Sequence, residues 1–183
     1  MNKREKFNQI ARDIKSIKIQ GARNIARQAL NAYSLIPTTA AKNKLLSLRP
    51  TEPLLVNVLK KATGSNTGAL IQHFDKAQEE INKLVLDLIE NGDVIYTHCH
   101  STNVVNALVY AKKKKKKFEV YNTETRPLFQ GRKTAKDLKK AKIKVTMFVD
   151  SAMDIALSDK QGTKKATKIF LGADALLAKG VIN

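Results

Sequence analysis

Cys99 is the only cysteine in this 183-residue chain, and it lies in the segment Tyr96-Thr-His-Cys-His-Ser-Thr102 directly after a short apolar run. A single thiol cannot form a disulfide within the chain, so its role must be packing, metal binding or chemistry. The run 93–96 predicts a buried strand, and residues 103–113 predict a helix. Cys99 is therefore expected in the turn at the carboxyl end of a strand, where open α/β sheets bind their ligands.

Polar residues follow each of the other strands that the second half of the chain predicts. After residues 118–121 come Asn122–Pro127, after 145–149 come Asp150 and Ser151, and after 168–171 come Gly172–Asp174. The carboxyl ends of parallel strands share one edge of a sheet, so a thiol, carboxylates, an arginine and helix N-termini can converge there. We expect the functional site at that edge.

Metal and nucleotide sites are disfavoured by the spacing of the same residues. His98, Cys99 and His100 are suitable ligand types, but three consecutive side chains do not aim easily at one ion, and no Cys-x-x-Cys pair accompanies them. Neither a Gly-x-Gly-x-x-Gly loop nor a Walker sequence is present, which argues against a dinucleotide enzyme. We expect no metal and no cofactor. A buried cysteine with a purely structural role remains the alternative to a reactive one.

The apolar periodicity changes once along the chain. Helical spacing continues from the N-terminus to Asn91-Gly92, and short β-branched runs then alternate with helical segments near 103–114, 132–141 and 151–159. The pattern predicts an α/β fold: a helical domain of residues 1–91, then a Rossmann-like parallel sheet in residues 92–183 that is incomplete at its C-terminus. Residues 158–167 are polar and lysine-rich and predict a loop.

The charge is strongly basic, with 34 lysines and arginines against 16 acidic residues, a formal net charge of +18. Such a charge attracts polyanions such as RNA, or phosphorylated metabolites. The run Lys112–Lys117 ends a predicted helix, where cations complement the helix dipole and stay solvated, so nucleic acid is a possible partner but not the favoured one. With one cysteine, no apolar stretch of membrane-spanning length and no signal-like N-terminus, we expect a cytoplasmic protein.

Several segments of the chain form a pattern in consistent order: Ile95–Ser101, Thr123–Ala135, Val149–Ala152 and Gly172–Asp174, with Ile19–Arg23 and Leu48–Thr51 in the first half. Together these segments resemble the initiation-factor-2B-related superfamily. This superfamily contains regulatory subunits of translation initiation factor 2B and two sugar-phosphate isomerases.

Within the superfamily, Thr97-His-Cys-His-Ser101 is most similar to the archaeal ribose-1,5-bisphosphate isomerases. The resemblance implies conversion of ribose 1,5-bisphosphate to ribulose 1,5-bisphosphate in archaeal nucleotide salvage, with Cys99 and Asp174 as catalytic residues. A non-catalytic regulatory subunit that binds a nucleotide or sugar phosphate is the alternative. The substrate-binding residues implied by the resemblance are Gln20, Gly21, Ala22, Arg23, Arg49, Ser101, Thr102, Asn103 and Asn183.

The chemistry of this reaction suits those residue types. The anomeric oxygen of the substrate carries phosphate, so a proton donor must assist cleavage at the ring oxygen and a base must remove the proton at carbon 2. A carboxyl kept protonated in a dry pocket can donate, the role expected of Asp174. A thiol beside a helix N-terminus and cations such as Arg126 can act as a thiolate base, the role expected of Cys99. Arg23 and Arg49 offer forked donors for phosphate.

The chain departs from the family pattern at two points. Gln20 replaces a usual arginine of the phosphate-binding segment, and the sequence ends at Asn183, where the family continues with a lysine. A sheet cut there would expose an edge and an apolar face. We therefore expect a homo-oligomer or a complementing C-terminal polypeptide as partner, beside the sugar-bisphosphate substrate.

Overall fold

Five helices form the first half of the chain, and local capping explains where two of them begin. The computed structural model describes residues 1–182, and for Lys160 it describes only the backbone. The five helices are α1 Lys3–Lys15, α2 Ala22–Leu35, α3 Thr39–Leu48, α4 Pro53–Lys61 and α5 Thr67–Leu88. Asn2 and Glu5 cap α1 reciprocally, each side chain accepting from the other's backbone N–H at 2.9 Å. Thr38 caps α3 by accepting from the Ala41 N–H. None of the helices in residues 1–182 is long and apolar enough to cross a membrane.

Residues 1–77, together with the segment that starts at Ala173, form one compact unit, here called the helical unit. Its core consists of the apolar stripes of α1 to α4, with Leu70, Ile71 and Phe74 of α5 packed against them. The largest fully buried side chains in it are Ile14, Ile25, Leu30, Leu45, Leu55 and Leu59. Because each contributes about 2 kcal/mol on burial, the helical unit has a core of its own.

Residues 78–172 form the second compact unit, here called the sheet unit. Its elements are β1 Asp93–Thr97, α6 Thr102–Lys113, β2 Phe118–Thr123, α7 Gln130–Lys140, β3 Lys144–Phe148, α8 Met153–Leu157 and β4 Lys168–Ile169. The strands pair in parallel in the order β3-β2-β1-β4. Every residue of β1 and β2 is buried, as expected for central strands of a parallel sheet that helices cover.

The predicted fold class is confirmed, and the alternation of strands and helices in the second half is found in the predicted order. The helix expected over 151–159 is shorter, a 3₁₀ turn at Asp150–Ala152 followed by α8. The last strand is also shorter than predicted, because only Lys168 and Ile169 pair with β1. The domain boundaries 1–91 and 92–183 stay a prediction.

One element was not predicted at all. β5 Ala175–Leu177 and β6 Gly180–Ile182 form an antiparallel hairpin. Sequence periodicity missed it because strands of three residues are too short to show alternation. The hairpin follows Asp174, so this predicted catalytic residue lies at the base of a hairpin and not at the end of a sheet strand.

Candidate functional site

The strand order identifies where a ligand is expected in the sheet unit. The chain runs from β1 outward to β2 and β3, then returns so that β4 lies on the other side of β1. Ligands of open parallel sheets bind at the carboxyl ends of the two strands where the order reverses, here β1 and β4. The turn after β1 holds Cys99. The segment after β4 holds Gly172, where an added Cβ would lie 2.8 Å from the Ser101 Cβ, so the close approach of these two segments requires glycine.

Cys99 is half-buried and has a left-handed backbone, with φ of 61°. Each of its three polar groups has a hydrogen-bond partner in the segment that follows β2. The Cys99 N–H donates to Thr125 Oγ1 at 3.0 Å, its carbonyl accepts from Thr134 Oγ1 at 2.8 Å, and its Sγ–H donates to Gln130 Oε1 at 3.2 Å. One short segment therefore holds both the backbone and the sulfur of Cys99.

The turn after β3 also supports the segment that follows β2 and holds Cys99. The Asp150 carboxylate accepts from the backbone N–H groups of Thr125 at 2.8 Å and Arg126 at 2.7 Å. The bond from Arg126 is the largest of the effects that hold the pKa of Asp150 below its usual value. The turns after β1, β2 and β3 thus meet at one edge of the sheet, as the sequence predicted.

Glu124 is a buried carboxylate with an arginine at each oxygen. Arg126 Nε donates to Oε1 at 2.6 Å and Arg132 Nη2 donates to Oε2 at 2.9 Å. These hydrogen bonds, that of Arg126 first, lower the pKa of Glu124. Both guanidinium groups also lie over the Phe129 ring, 5.2 Å and 3.9 Å from its centre. Arg126, expected as a cation beside the thiol, is instead engaged by Glu124 and Phe129.

The two histidines next to Cys99 bind side chains of the neighbouring segment. His98 contacts the Thr123 hydroxyl. The Thr134 hydroxyl uses its one proton to donate to the Cys99 carbonyl, so it must accept the hydrogen bond from Nδ1–H of His100 at 2.9 Å. On the other side of the same ring, Lys133 donates to Nε2. This arrangement holds a neutral imidazole. Burial first, and then the charge of Lys133, lowers the pKa of His100.

The start of α6 contains three further predicted residues. Ser101 caps the helix by accepting from the Val104 N–H at 3.4 Å. Ser101 and Thr102 are half-buried and Asn103 is exposed, its carbonyl accepting from Gln78 at 3.2 Å. The N-terminus of this twelve-residue helix presents backbone N–H groups that suit a phosphate.

The remaining predicted residues belong to the helical unit. Gly21 precedes α2 with φ of 84°, a conformation that favours glycine, and Ala22 is the first residue of that helix. Arg23 forms an ion pair with Asp75 at 2.8 Å, which Arg27 shares at 2.6 Å. Gln20 is exposed.

Arg49 lies beside a carboxylate that sequence reasoning missed. Its Nη2 is 3.8 Å from Oε2 of Glu52, and its Nη1 is buried without a hydrogen-bond partner in residues 1–182. Burial is the main cause that raises the pKa of Glu52, the charge of Asp174 adds to it, and Arg49 opposes it. The spacing of Arg49 and Glu52, three residues apart, was the one signal in the sequence.

Asp174 does not have the dry surroundings expected of it. Its side chain is exposed, and its backbone N–H donates to the Ile182 carbonyl at 2.8 Å within the hairpin. The expectation of a buried carboxyl at this position is therefore wrong, because the residue starts a short surface hairpin. Asn183, the last predicted binding residue, lies outside the described residues.

Residues 54–183 match the model of the Initiation factor 2 subunit family. This chain belongs to that family. It is 32% identical to the ribose 1,5-bisphosphate isomerase of Thermococcus kodakarensis, over 95% of the chain and 63% of that protein. It is 35% identical to the Methanocaldococcus jannaschii protein of the same name, over 92% of the chain and 61% of the relative. The chain thus spans less than two thirds of the length of these relatives.

Other proteins to which the chain is similar have a different name. A putative translation initiation factor eIF-2B subunit 2-like protein of Pyrococcus furiosus is 27% identical over 97% of the chain and 69% of its own length. The solved structure of the Pyrococcus horikoshii translation initiation factor eIF-2B superposes with a TM-score of 0.83 at 23% identity, covering 93% of the chain and 66% of that structure. This second likeness establishes the fold.

For this family member, the structure divides the predicted site residues between the two units. Cys99 and Ser101–Asn103 belong to the sheet unit, whereas Gln20–Arg23, Arg49 and Asp174 belong to the helical unit. The hydrogen bonds of Cys99 add three residues to the candidate site: Thr125, Gln130 and Thr134. They lie in a segment that resembles the family, but the resemblance implied no role for them. No group of three or more His, Cys, Asp or Glu side chains within residues 1–182 could hold a metal ion.

Proposed function

We propose that the chain carries the chemistry of a sugar-phosphate isomerase that converts ribose 1,5-bisphosphate to ribulose 1,5-bisphosphate. The observation that carries this proposal is Cys99 at the switch point of the sheet, where two hydrogen bonds hold its backbone and a third holds its thiol. A structural cysteine needs no such support, because burial alone suffices for it. The relatives named ribose 1,5-bisphosphate isomerase supply the substrate class.

The proton transfers balance with two groups. An acid protonates the ring oxygen as its bond to carbon 1 breaks, and the Cys99 thiolate takes the proton from carbon 2, giving an enol. The thiol then returns that proton to carbon 1, while the carboxylate takes the hydroxyl proton at carbon 2 and the carbonyl forms. Both groups end as they began. Asp174 is assigned the acid role on the family resemblance.

Phosphate recognition is supported by groups in each unit. In the helical unit Arg49 keeps a buried guanidinium N–H without a partner in residues 1–182, and in the sheet unit the α6 N-terminus begins at the Ser101 cap. Fixed cationic donors and helix N-termini are the usual phosphate ligands. We propose each of these groups as a phosphate ligand within its own unit.

The test is the isomerisation of ribose 1,5-bisphosphate followed by ³¹P NMR, which separates the anomeric phosphate from the primary ester of the product. Cys99→Ser should lower the rate by about 10²–10⁴, the usual contribution of a positioned base. Ser47→Ala, on the exposed side of α3, is the matched control and should keep the wild-type rate. Full activity in Cys99→Ser would overturn the proposal.

A regulatory subunit is the second candidate, favoured by the relatives named eIF-2B subunit 2-like and by the exposed side chain of Asp174. It predicts that the wild-type chain binds ribose 1,5-bisphosphate without turnover. Isothermal titration calorimetry together with the NMR assay separates the two: heat of binding with no product supports the regulatory function, and product formation excludes it.

We propose a second copy of this chain as the macromolecular partner. Apolar side chains are exposed on β4 and on the hairpin, with Ile169 54%, Leu176 77% and Val181 64% exposed. Light scattering with size-exclusion chromatography should give a mass above that of one chain. A monomer that gains mass only with a separately expressed polypeptide would favour a complementing partner instead.

A further inference from the structure

We propose that Gln130 is a positioning residue for Cys99 whose side-chain amide hydrogen-bonds the sulfur in both of its protonation states. The proposal rests on the proposed function, because that function requires Cys99 to alternate between thiolate and thiol in each turnover. Gln130 lies within a segment that resembles the family, but neither spacing nor resemblance gave it a role.

The contact itself is direct. The Cys99 Sγ–H donates to Gln130 Oε1 at 3.2 Å, within the usual range for sulfur. Thr125 and Thr134 fix the backbone of Cys99 on either side of its α-carbon, which leaves the sulfur its rotation about the Cα–Cβ bond. The bond to Gln130 holds the sulfur in one of these rotamers and also acts on its protonation state.

An amide is the side-chain type that can hydrogen-bond the Cys99 sulfur both as a thiol and as a thiolate. Its carbonyl oxygen accepts from a thiol, and after a rotation of about 180° its NH₂ group donates to a thiolate. A carboxylate at this position would only accept and would repel the thiolate, and an ammonium would only donate. Gln130 can match either state without a change of charge.

The fold places this amide with little freedom. Gln130 is the first residue of α7, between Phe129, with φ of 53°, and Gly131. A Cβ on Gly131 would lie 1.8 Å from the Thr123 carbonyl oxygen, so the start of α7 is pressed against β2. The two arginines over the Phe129 ring hold the preceding residue. The backbone on both sides of Gln130 is therefore fixed.

The experiment measures the rate at which iodoacetamide alkylates the protein between pH 5 and pH 10, by intact mass. Cys99 is the only cysteine, and Cys99→Ser gives the background alkylation of lysine and histidine that is subtracted at each pH. Gln130→Glu should move the pH of half-maximal rate upward by about one pH unit or more, because a negative charge opposes the thiolate. Gln130→Met should move it upward by about one unit or less, since the thiolate loses its donor.

Gln130→Lys should move the half-maximal pH in the opposite direction. The control is Gln72→Glu, the same change of charge on an exposed position of α5, which should leave the profile unchanged. In concentrated urea all variants should give one common profile. If a charged variant does not fold, judged by circular dichroism, Gln130→Met decides alone.

A wild-type alkylation profile for Gln130→Met would overturn the proposal, as would equal shifts for the glutamate and lysine variants. The alkylation rates do not depend on turnover, so the two proposals fail separately. If isomerisation persists in Cys99→Ser while the alkylation shifts are observed, the proposed function fails and the contact between Gln130 and the sulfur stands.

Discussion

The two units differ in how their candidate site residues are held. In the sheet unit every polar group of Cys99 is bonded within the unit, and the partners Thr125 and Thr134 are themselves fixed. In the helical unit the buried Nη1 of Arg49 has no hydrogen-bond partner among residues 1–182, and Asp174 is exposed. An unmade buried hydrogen bond costs about 1–3 kcal/mol, which an anionic ligand would recover. Under the proposed function, folding would order the proposed reacting group, whereas the proposed anion-binding group would be completed by its ligand.

Gly131→Ala should have the largest effect among the substitutions that test how tightly the sheet unit holds Cys99. The new Cβ would meet the Thr123 backbone at 1.8 Å, which forces α7 away from β2 and loosens the segment around Cys99. We expect a loss of about 3 kcal/mol in the free energy of unfolding, measured with urea. Gly68→Ala is the control, since within residues 1–182 no atom beyond its chain neighbours and the backbone of its own helix lies within 4 Å of the added Cβ, and it should be neutral or stabilising. Equal stability of the two variants would contradict the tight packing.

Thr134→Val tests the polar support of Cys99 at nearly constant volume. The substitution removes a buried hydroxyl that donates to the Cys99 carbonyl and accepts from His100. Two polar groups lose a partner, so we expect a loss of about 2 kcal/mol in urea unfolding. The same change at the exposed Thr146 of β3 should stay within about 0.5 kcal/mol. A cost no larger than that of the control would mean that Cys99 is not held as described.

Glu52→Gln should have the smallest effect, and it tests the surroundings of Arg49 in the helical unit. Burial is the main cause that raises the pKa of Glu52 in the folded chain above its value in the unfolded chain. The protonated carboxyl therefore stabilises the fold at a pH below the unfolded pKa. This stability is lost as the pH rises through the folded pKa and the carboxyl ionises. The glutamine variant should therefore be more stable than the wild type at pH 7 and equally stable at pH 4, in urea unfolding. Glu80→Gln, at an exposed position, should show no such pH dependence. A gain that is the same at both pH values would exclude titration of Glu52 as its cause.

Much of the fold and part of the site could be predicted from the sequence. The polar residues after β1, β2 and β3 were expected to meet because parallel strands share an edge, and the bonds from Cys99 to Thr125 and from Thr125 to Asp150 show that they do. Apolar periodicity likewise predicted helices up to Asn91-Gly92, and α5, the last helix before the sheet, ends at Leu88. Both depend on regular geometry, which local patterns encode well.

What the sequence did not reveal depends on contacts between distant residues. Gln130 lies 31 positions from Cys99, and no spacing rule relates an amide to a thiol. The exposure of Asp174 followed from a hairpin too short to be recognised, and the burial of Glu52 from the packing of helices. Burial and long-range polar contacts decide the chemistry of these residues, and neither is a local property of the chain.

The return of β4 to the far side of β1 also has a consequence for how the sheet unit assembles. Ile95 pairs with Lys168, 73 residues further along the chain, whereas the pairs of β1 with β2 and of β2 with β3 join residues about 25 apart. Closing the longer loop costs more chain entropy, and only two residues of β4 pair to repay it. The strand beside the switch point should thus form last and open first, and the approach of Gly172 to Ser101 should be the least persistent contact at this edge.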